Sequence, residues 1–234
     1  MANTLLEVNI EEAGYDGHHS TIEQIEFAVK SGQLTGLIGP NGAGKSTTIK
    51  AIMGLLTDVK GTISFSKSGN HYAYIPEQPV YYETLTLWEH LSLASAVYGV
   101  DETVLEREGN ALLERFRMTD VKHHLPDGFS KGMRQKMMLM IGFLIRPDIY
   151  IVDEPFVGLD PRATSDFLAL LEEERRRGAG VLMCTHVLDT AERICNDFVL
   201  LSNGRVVVSG ELDDIRRVAL LPEGTLFDCF NALT

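Results

Sequence analysis

Cysteine is scarce: Cys184, Cys195 and Cys229 are the only three in 234 residues, odd in number and without a CxxC spacing. That excludes a disulfide framework and argues against a zinc site, leaving a reducing compartment as the expectation. Long apolar runs are missing as well. The longest, Met137 to Ile145, is far below the roughly 18 residues a membrane-spanning helix needs, so the chain is not expected to cross a membrane. Its start, MANTLLEVNIEEA, is acidic and too short of apolar length for a signal peptide. Positive charge is in deficit, 21 Lys and Arg against 33 Asp and Glu for a net charge of −12, which argues against nonspecific nucleic-acid binding. No internal repeat or low-complexity tract breaks the chain. What is present, 44% apolar and 23% charged residues, fits a globular protein of one large domain or one domain with a subdomain.

The periodicity predicts an alternation of strands and helices. LLEVNI (5–10) and TIEQIEFAV (21–29) alternate as half-buried strands do, and LTGLIG (34–39) is a compact apolar strand running into glycine. A helix is expected over 46–56, short strands at 62–65 and 71–75, and an all-helical block over 86–118, followed by a helix at 133–145. Beyond it come a strand at 148–154, a helix at 162–177, a strand at 181–185 and a helix at 187–195. FVLL and RVVV, joined by Ser202-Asn203-Gly204, read as a hairpin, and the tail reads as helical. This order implies an α/β fold, a mainly parallel sheet with crossover helices. The helical stretch 86–147 interrupts that rhythm and reads as an insertion. In EEERRR (172–177), Glu172 and Arg176, and Glu173 and Arg177, stand at i,i+4 spacing, as on a solvated helix face.

GPNGAGKST (39–47) matches G-x-x-x-x-G-K-[ST], placed after an apolar strand and before a helix. Its glycines permit a tight turn whose backbone N–H groups converge on a phosphate at a helix N-terminus. Lys45 supplies charge to the β- and γ-phosphates and the Ser46 hydroxyl a ligand to Mg²⁺. A glycine turn before an ordinary helix is the bland alternative, and the flanking pattern weighs against it. DIYIVDEP ends a buried strand in Asp153-Glu154. Asp153 can hold Mg²⁺ through water, and Glu154 can polarise a water for attack on the γ-phosphate. Alone, such a pair could merely mark a strand end; beside a phosphate loop the functional reading gains. A lone histidine is more often structural, but His186 follows the strand VLMCT, where ligands bind at the carboxyl edge of open α/β sheets, and could sense the γ-phosphate.

FSKGMRQK (129–136) places a serine, a glycine and three basic residues before a long apolar helix. The plain reading is a serine N-cap. Taken with GPNGAGKST, IYIVDEP, GLD (158–160) and CTH (184–186), in this order and over nearly the whole chain, the stretch resembles the signature of the ATP-binding cassette (ABC) ATPase family, usually LSGGQ. The SKGM-[RK]-Q variant is similar to the branch serving ABC-2-type exporters. YIPEQPVYYETLTLWEHL is most similar to the Ecs-type ATPase subunits of Gram-positive bacteria.

The resemblance implies one cassette domain over 1–234: a nucleotide-binding core with an N-terminal antiparallel β subdomain in 1–85 and 148–234, and an inserted helical subdomain, 86–147, carrying the signature. It implies ATP and Mg²⁺ as ligands and a head-to-tail pair of cassettes, like or unlike. Gly39, Asn41, Gly42, Ala43, Gly44, Lys45, Ser46 and Thr47 would then bind nucleotide, with Tyr15 stacked on adenine. Glu154, His186 and Lys45 would be catalytic, and Ser46 and Asp153 would hold the metal. Ser130, Lys131, Gly132 and Met133 would meet the γ-phosphate bound by the facing cassette, and Asp160 would touch that cassette. Lys131 and Met133 replace the usual glycine and glutamine. The glutamine expected before the helical insert is either Glu77 or Gln78.

Function follows as an expectation: an ATPase subunit, cytoplasmic and peripheral at the inner face of the cell membrane, driving a transmembrane permease carried on a separate chain. Residues 79–91, with Tyr81, Tyr82 and Trp88, are the expected contact, although core packing should claim at least one of the three. A soluble cassette ATPase of translation or DNA repair is the other reading, weakened by the net charge and the lack of a second cassette. A regulatory module without turnover is disfavoured by Asp153-Glu154 and His186. A small-molecule kinase would leave FSKGM and 86–147 unexplained.

Overall fold

A computed structural model describes residues 3–15, 21–66 and 72–234. The first strand position of the 71–75 prediction, His71, lies outside them, as do residues 1–2. Strands β1 (Thr4–Gly14), β2 (Ile22–Lys30) and β4 (Asp58–Phe65) form an antiparallel sheet in the order β2-β1-β4. Strands β3 (Leu34–Ile38), β5 (Tyr72–Ile75), β6 (Ile149–Asp153), β7 (Gly180–Thr185), β8 (Asp197–Ser202) and β9 (Arg205–Gly210) form a second sheet in the order β5-β6-β7-β3-β8-β9. It is parallel from β5 to β8, and β9 returns antiparallel through Asn203 and Gly204, both at positive φ (49° and 76°), as a two-residue hairpin turn requires.

The central strands are buried on both faces, which is why they read as continuous apolar runs rather than alternating ones. Tyr150 and Val152 of β6 and Val181 and Met183 of β7 enter one core; Ile149 and Ile151, Leu182 and Cys184 enter another. The second core is closed by the three-stranded sheet and by α1 (Lys45–Ile52). The first is closed by α2 (Leu87–Tyr98), α3 (Glu102–Phe116), α4 (Lys131–Leu144) and α5 (Pro161–Arg177). Phe198 and Leu200 of β8 enter a third core, under α6 (Leu188–Ile194), α7 (Leu212–Ala219) and α8 (Leu226–Leu233). The fold class expected from the strand–helix alternation is borne out.

Local chemistry moves several boundaries. The helical stretch 86–118 is two helices. Thr86 and Glu89 form a capping box at the start of α2, Gly99 (φ 68°) ends it, and Asp101 caps α3 by accepting from Thr103 N at 2.8 Å. Helix α1 stops at Ile52, short of the predicted 56, before Gly54 at φ 70°. Helix α4 begins at Lys131, not 133, so Lys131 to Met133 are its first turn. Of the aromatic trio, Tyr81 and Trp88 pack against the first core, whereas Tyr82 is 63% exposed.

The EEERRR run is a solvated face only in part, with Glu173, Arg176 and Arg177 exposed. Glu174 is buried; its Oε2 accepts from the Tyr150 hydroxyl at 3.0 Å and from Arg177 Nε at 2.7 Å. Glu173 pairs with Arg115 of α3 at 2.9 Å rather than with Arg177, and only Glu172–Arg176 keeps the surface i,i+4 geometry. Consecutive helical residues are about 100° apart, and here the third acid comes round to the side that packs on the sheet.

Candidate active site

Parallel strands point their carboxyl ends the same way, so one edge of the sheet collects four turns. β3 leads into the phosphate loop, β6 ends at Asp153, β7 ends at Thr185 and β5 leads into Pro76 and Glu77. The register sets Asp153 beside Cys184, and Ile38 beside Thr185.

Gly42 and Gly44 stand at φ 83° and 105°, the left-handed backbone that turns the loop into α1. Lys45 is buried, and its Nζ donates to the carbonyls of Gly39 at 2.7 Å and Pro40 at 3.2 Å. The ammonium is thereby held inside its own loop by two neutral acceptors that a phosphate oxygen can replace. Ser46 is exposed at the mouth of the helix, and Thr47 is buried. Tyr15, from the end of β1, reaches this helix: its hydroxyl lies 3.4 Å from Thr47 Oγ1 and accepts from Lys50 Nζ at 3.3 Å, with Lys50 over the ring. The Thr47 hydrogen bond, helped by Lys50, lowers the pKa of Tyr15.

Glu154 is a non-glycine residue at φ 45°, buried, with its N–H donating to Cys184 O at 2.9 Å. Such backbone strain costs about 1–3 kcal/mol and clusters where a side chain must be aimed. Here it turns the carboxylate to the end of β7: Oε1 lies 2.7 Å from His186 Nδ1, and Oε2 accepts from the buried Thr185 hydroxyl at 3.2 Å. An ionised carboxylate only accepts, so Nδ1 carries the hydrogen and Nε2 is the free ring nitrogen. Four acceptor sites on a carboxylate leave Glu154 capacity for a water.

Asp153 next to it is pushed up to about 6, by burial first, then by the charges of Glu154 and Glu77, with Lys45 acting in the opposite sense. Burial first, and then the charge of Asp153, raise the pKa of Tyr74. Glu77 and Gln78 are both exposed, and of the two it is Glu77 whose charge reaches Asp153. Tyr74, Thr185 and Lys50 were not singled out by sequence. Only Thr185 carried a local signal, as the residue between a buried strand and His186.

Ser130 is exposed and caps α4, its Oγ accepting from Met133 N at 3.2 Å. The cap uses one lone pair and leaves the hydroxyl hydrogen to donate. Lys131 is exposed, and Gly132 and Met133 are half-buried. A Cβ at Gly132 would stand 2.5 Å from Gly158 O, so this glycine packs the signature turn onto the loop before α5. Asp160 in that loop caps α5 through Ala163 N at 2.8 Å and pairs with Lys136 of α4 at 3.1 Å. The Ala163 bond first and Lys136 second lower its pKa. The structure thus brings the phosphate loop, Asp153, Glu154, His186 and Glu77 to one sheet edge, while Ser130 to Met133 sit at the start of a separate helix, α4, to which Asp160 of the next loop is tied through Lys136.

Residues 22–157 match the family model described as ABC transporter. The chain is 50% identical over 226 residues to the uncharacterized ABC transporter ATP-binding protein YthP of Bacillus subtilis (strain 168), covering 97% of this chain and 95% of that one. It is 42% identical over 240 residues to the ABC-type transporter ATP-binding protein EcsA of the same organism, covering 99% and 97%. A solved ATP-binding subunit of an ABC transporter superposes with a TM-score of 0.94 at 46% identity, covering 98% of this chain and 99% of that one.

Proposed function

The chain belongs to the ABC transporter family as an ATP-binding subunit, an ATPase coupled to transport, and we propose that it works as half of a head-to-tail pair whose two composite sites each take one ATP. The observation that carries this reading is the signature turn. Ser130 keeps an unused hydroxyl hydrogen at an exposed helix N-terminus, beside the exposed ammonium of Lys131, on an element other than those that carry the phosphate loop. Anions are favoured at such a terminus, and a γ-phosphate presented by a facing copy or a similar cassette would fill it.

Within one chain the roles divide by geometry. The N–H groups of Gly42 to Thr47 cradle the phosphates, and Lys45 exchanges its bonds to Gly39 O and Pro40 O for phosphate oxygens. Tyr15 offers its ring to the adenine, a contact that tolerates other bases. The donor set fits Mg²⁺: Ser46 gives an exposed hydroxyl, and Asp153 is a carboxylate crowded by two further carboxylates with too little positive charge. Ser46 and Asp153 would hold the ion, which when bound neutralises charge on the β- and γ-phosphates. Glu154 takes a proton from the attacking water, so that water adds to the γ-phosphorus, the bond to the β-phosphate oxygen breaks, and ADP and phosphate leave. Thr185 and His186 hold the Glu154 carboxylate in place, and His186 would donate to the γ-phosphate through Nε2 only with a hydrogen on each ring nitrogen. Glu77 or Gln78 would fill the place before the helical insert; the Glu77 carboxylate is near enough for its charge to act on Asp153.

ABC ATP-binding subunits work with transmembrane permease components, and among the described residues no helix is long and apolar enough to cross a membrane. We take the permease to lie on a separate chain, with export as the direction and the inner face of the membrane as the place. Val80 and Tyr82, 76% and 63% exposed, are the apolar side chains of 79–91 available to it. The residues of the inserted unit, 86–147, and of the core on either side are read as one cassette.

Complementation tests the pair. Ser130→Arg and Glu154→Gln chains should each be inactive alone, yet regain activity when mixed, because one composite site then has an intact Glu154 facing an intact Ser130. Two inactive chains that stay inactive when mixed contradict the arrangement.

A further inference from the structure

Helix α4 buries a polar side chain just ahead of its apolar run. Gln135 is fully buried, its Nε2 donates to Pro76 O at 3.2 Å, and its Oε1 is buried with no partner among the described residues. An unpaired buried acceptor costs stability, and an apolar side chain of the same length would avoid that cost, so packing does not account for an amide at this position. Its bond partner is informative. Proline has no N–H, so the carbonyl is the one backbone group Pro76 offers, and the next residue is Glu77, whose charge reaches Asp153. Two turns further on, the same face of α4 meets the strand leading into that strap: a Cβ at Gly142 would stand 3.0 Å from Ile75 Cδ1. Five residues before Gln135 is Ser130, the cap of the signature turn. One helix therefore holds the phosphate-meeting turn at its tip and, through an apolar contact and one amide, the strap that carries Glu77.

We propose that Gln135 is a positioning residue for ATP hydrolysis, its amide tying the 76–78 strap to the signature helix so that engagement of Ser130 by a facing cassette's nucleotide sets Glu77 beside the nucleotide of its own chain. This rests on the head-to-tail reading, in which the turn serves one site and the strap the other. The amide is half-used in this arrangement of helix and strap; a shift of one against the other is what would bring its free oxygen to a donor. Coupling of the two sites through this contact makes hydrolysis cooperative in ATP.

The test compares the wild-type chain with Gln135→Met and Gln135→Leu, reading the unfolding midpoint, ATP affinity of the isolated chain, kcat, KM and the Hill coefficient for ATP. The expected result for both variants is a midpoint equal to or above wild type and ATP affinity within about twofold, with kcat lowered about tenfold. The Hill coefficient should fall from near the two-site limit of about 2 to about 1. Wild-type kcat and cooperativity in the variants overturn the proposal. So does a fall in kcat that tracks a fall in midpoint, or failure of both variants to fold, either of which assigns Gln135 to packing. A wild-type chain without cooperativity, whose specific activity does not rise with protein concentration, overturns the head-to-tail reading itself and this proposal with it. That failure is read on the wild type alone and is distinct from the others.

Discussion

The phosphate loop and the signature turn are both helix N-termini, and they are finished to different degrees. At the first, Lys45 is buried and satisfied by Gly39 O and Pro40 O, a central strand fixes the loop from behind, and Asp153 and Glu154 arrive on a strand of the same sheet. At the second, Ser130 and Lys131 are exposed, and the hydroxyl's one contact among the described residues is the cap it accepts. A site that completes its own bonding can bind ligand alone; a turn that keeps donors unused at the surface needs something brought to it. On the proposed head-to-tail reading, the difference would let a chain hold nucleotide by itself and still require a second cassette for turnover.

Substitutions can break this contrast on either side. The largest effect should fall on the finished site: Glu154→Gln keeps the shape and removes the base, lowering hydrolysis about 10²–10⁴-fold while ATP binding, measured by titration, stays within a few-fold. On the unfinished side, Ser130→Arg should lower hydrolysis about 10²-fold and leave ATP binding by the isolated chain unchanged, if the turn meets only a facing nucleotide as proposed. Gly132→Ala sharpens the comparison further. Its Cβ would meet Gly158 O at 2.5 Å, so turn and loop must part, and we expect hydrolysis to drop about tenfold with little change in ATP affinity. Equal losses of binding and turnover in Ser130→Arg or Gly132→Ala would contradict the division.

The smallest effect concerns stability. Asp153 titrates near pH 6 in the fold against a usual 3.8, because burial and then Glu154 and Glu77 resist its ionisation. That cost is absent below the unfolded value, grows as pH rises to about 6 and is complete above it. Asp153→Asn should therefore stabilise the metal-free chain by about 1–2 kcal/mol at pH 8 and by almost nothing near pH 4, measured by denaturant unfolding. Stabilisation that does not vary with pH would show that the carboxylate is not crowded. The same substitution should weaken Mg²⁺-dependent turnover.

What the sequence made legible follows the range of the contacts. GPNGAGKST and Asp153-Glu154 are local patterns at strand ends, and their places on one edge follow from the alternation of strands and helices. The choice between Glu77 and Gln78 stays open because both lie, exposed, in an irregular strap. Glu174 was read as surface because i,i+4 counting sees a helix as isolated, whereas Tyr150 and Arg146 come to it from other elements and Arg177 from i+3 on the same helix. Gln135 and Tyr74 were equally hidden: their partners, Pro76 and Asp153, lie far along the chain. The close neighbour of Gly132, Gly158 O of the same chain, was likewise out of reach of the sequence, because the loop before α5 lies 26 residues on.

The central claim is that one chain holds ATP and two complete the reaction. Specific ATPase activity measured across a wide range of protein concentration tests it most directly. Activity per chain should rise with concentration and level off once pairs are saturated, while ATP affinity per chain stays flat. A flat specific activity, with full turnover in a preparation shown by sedimentation to be monomeric, would contradict it.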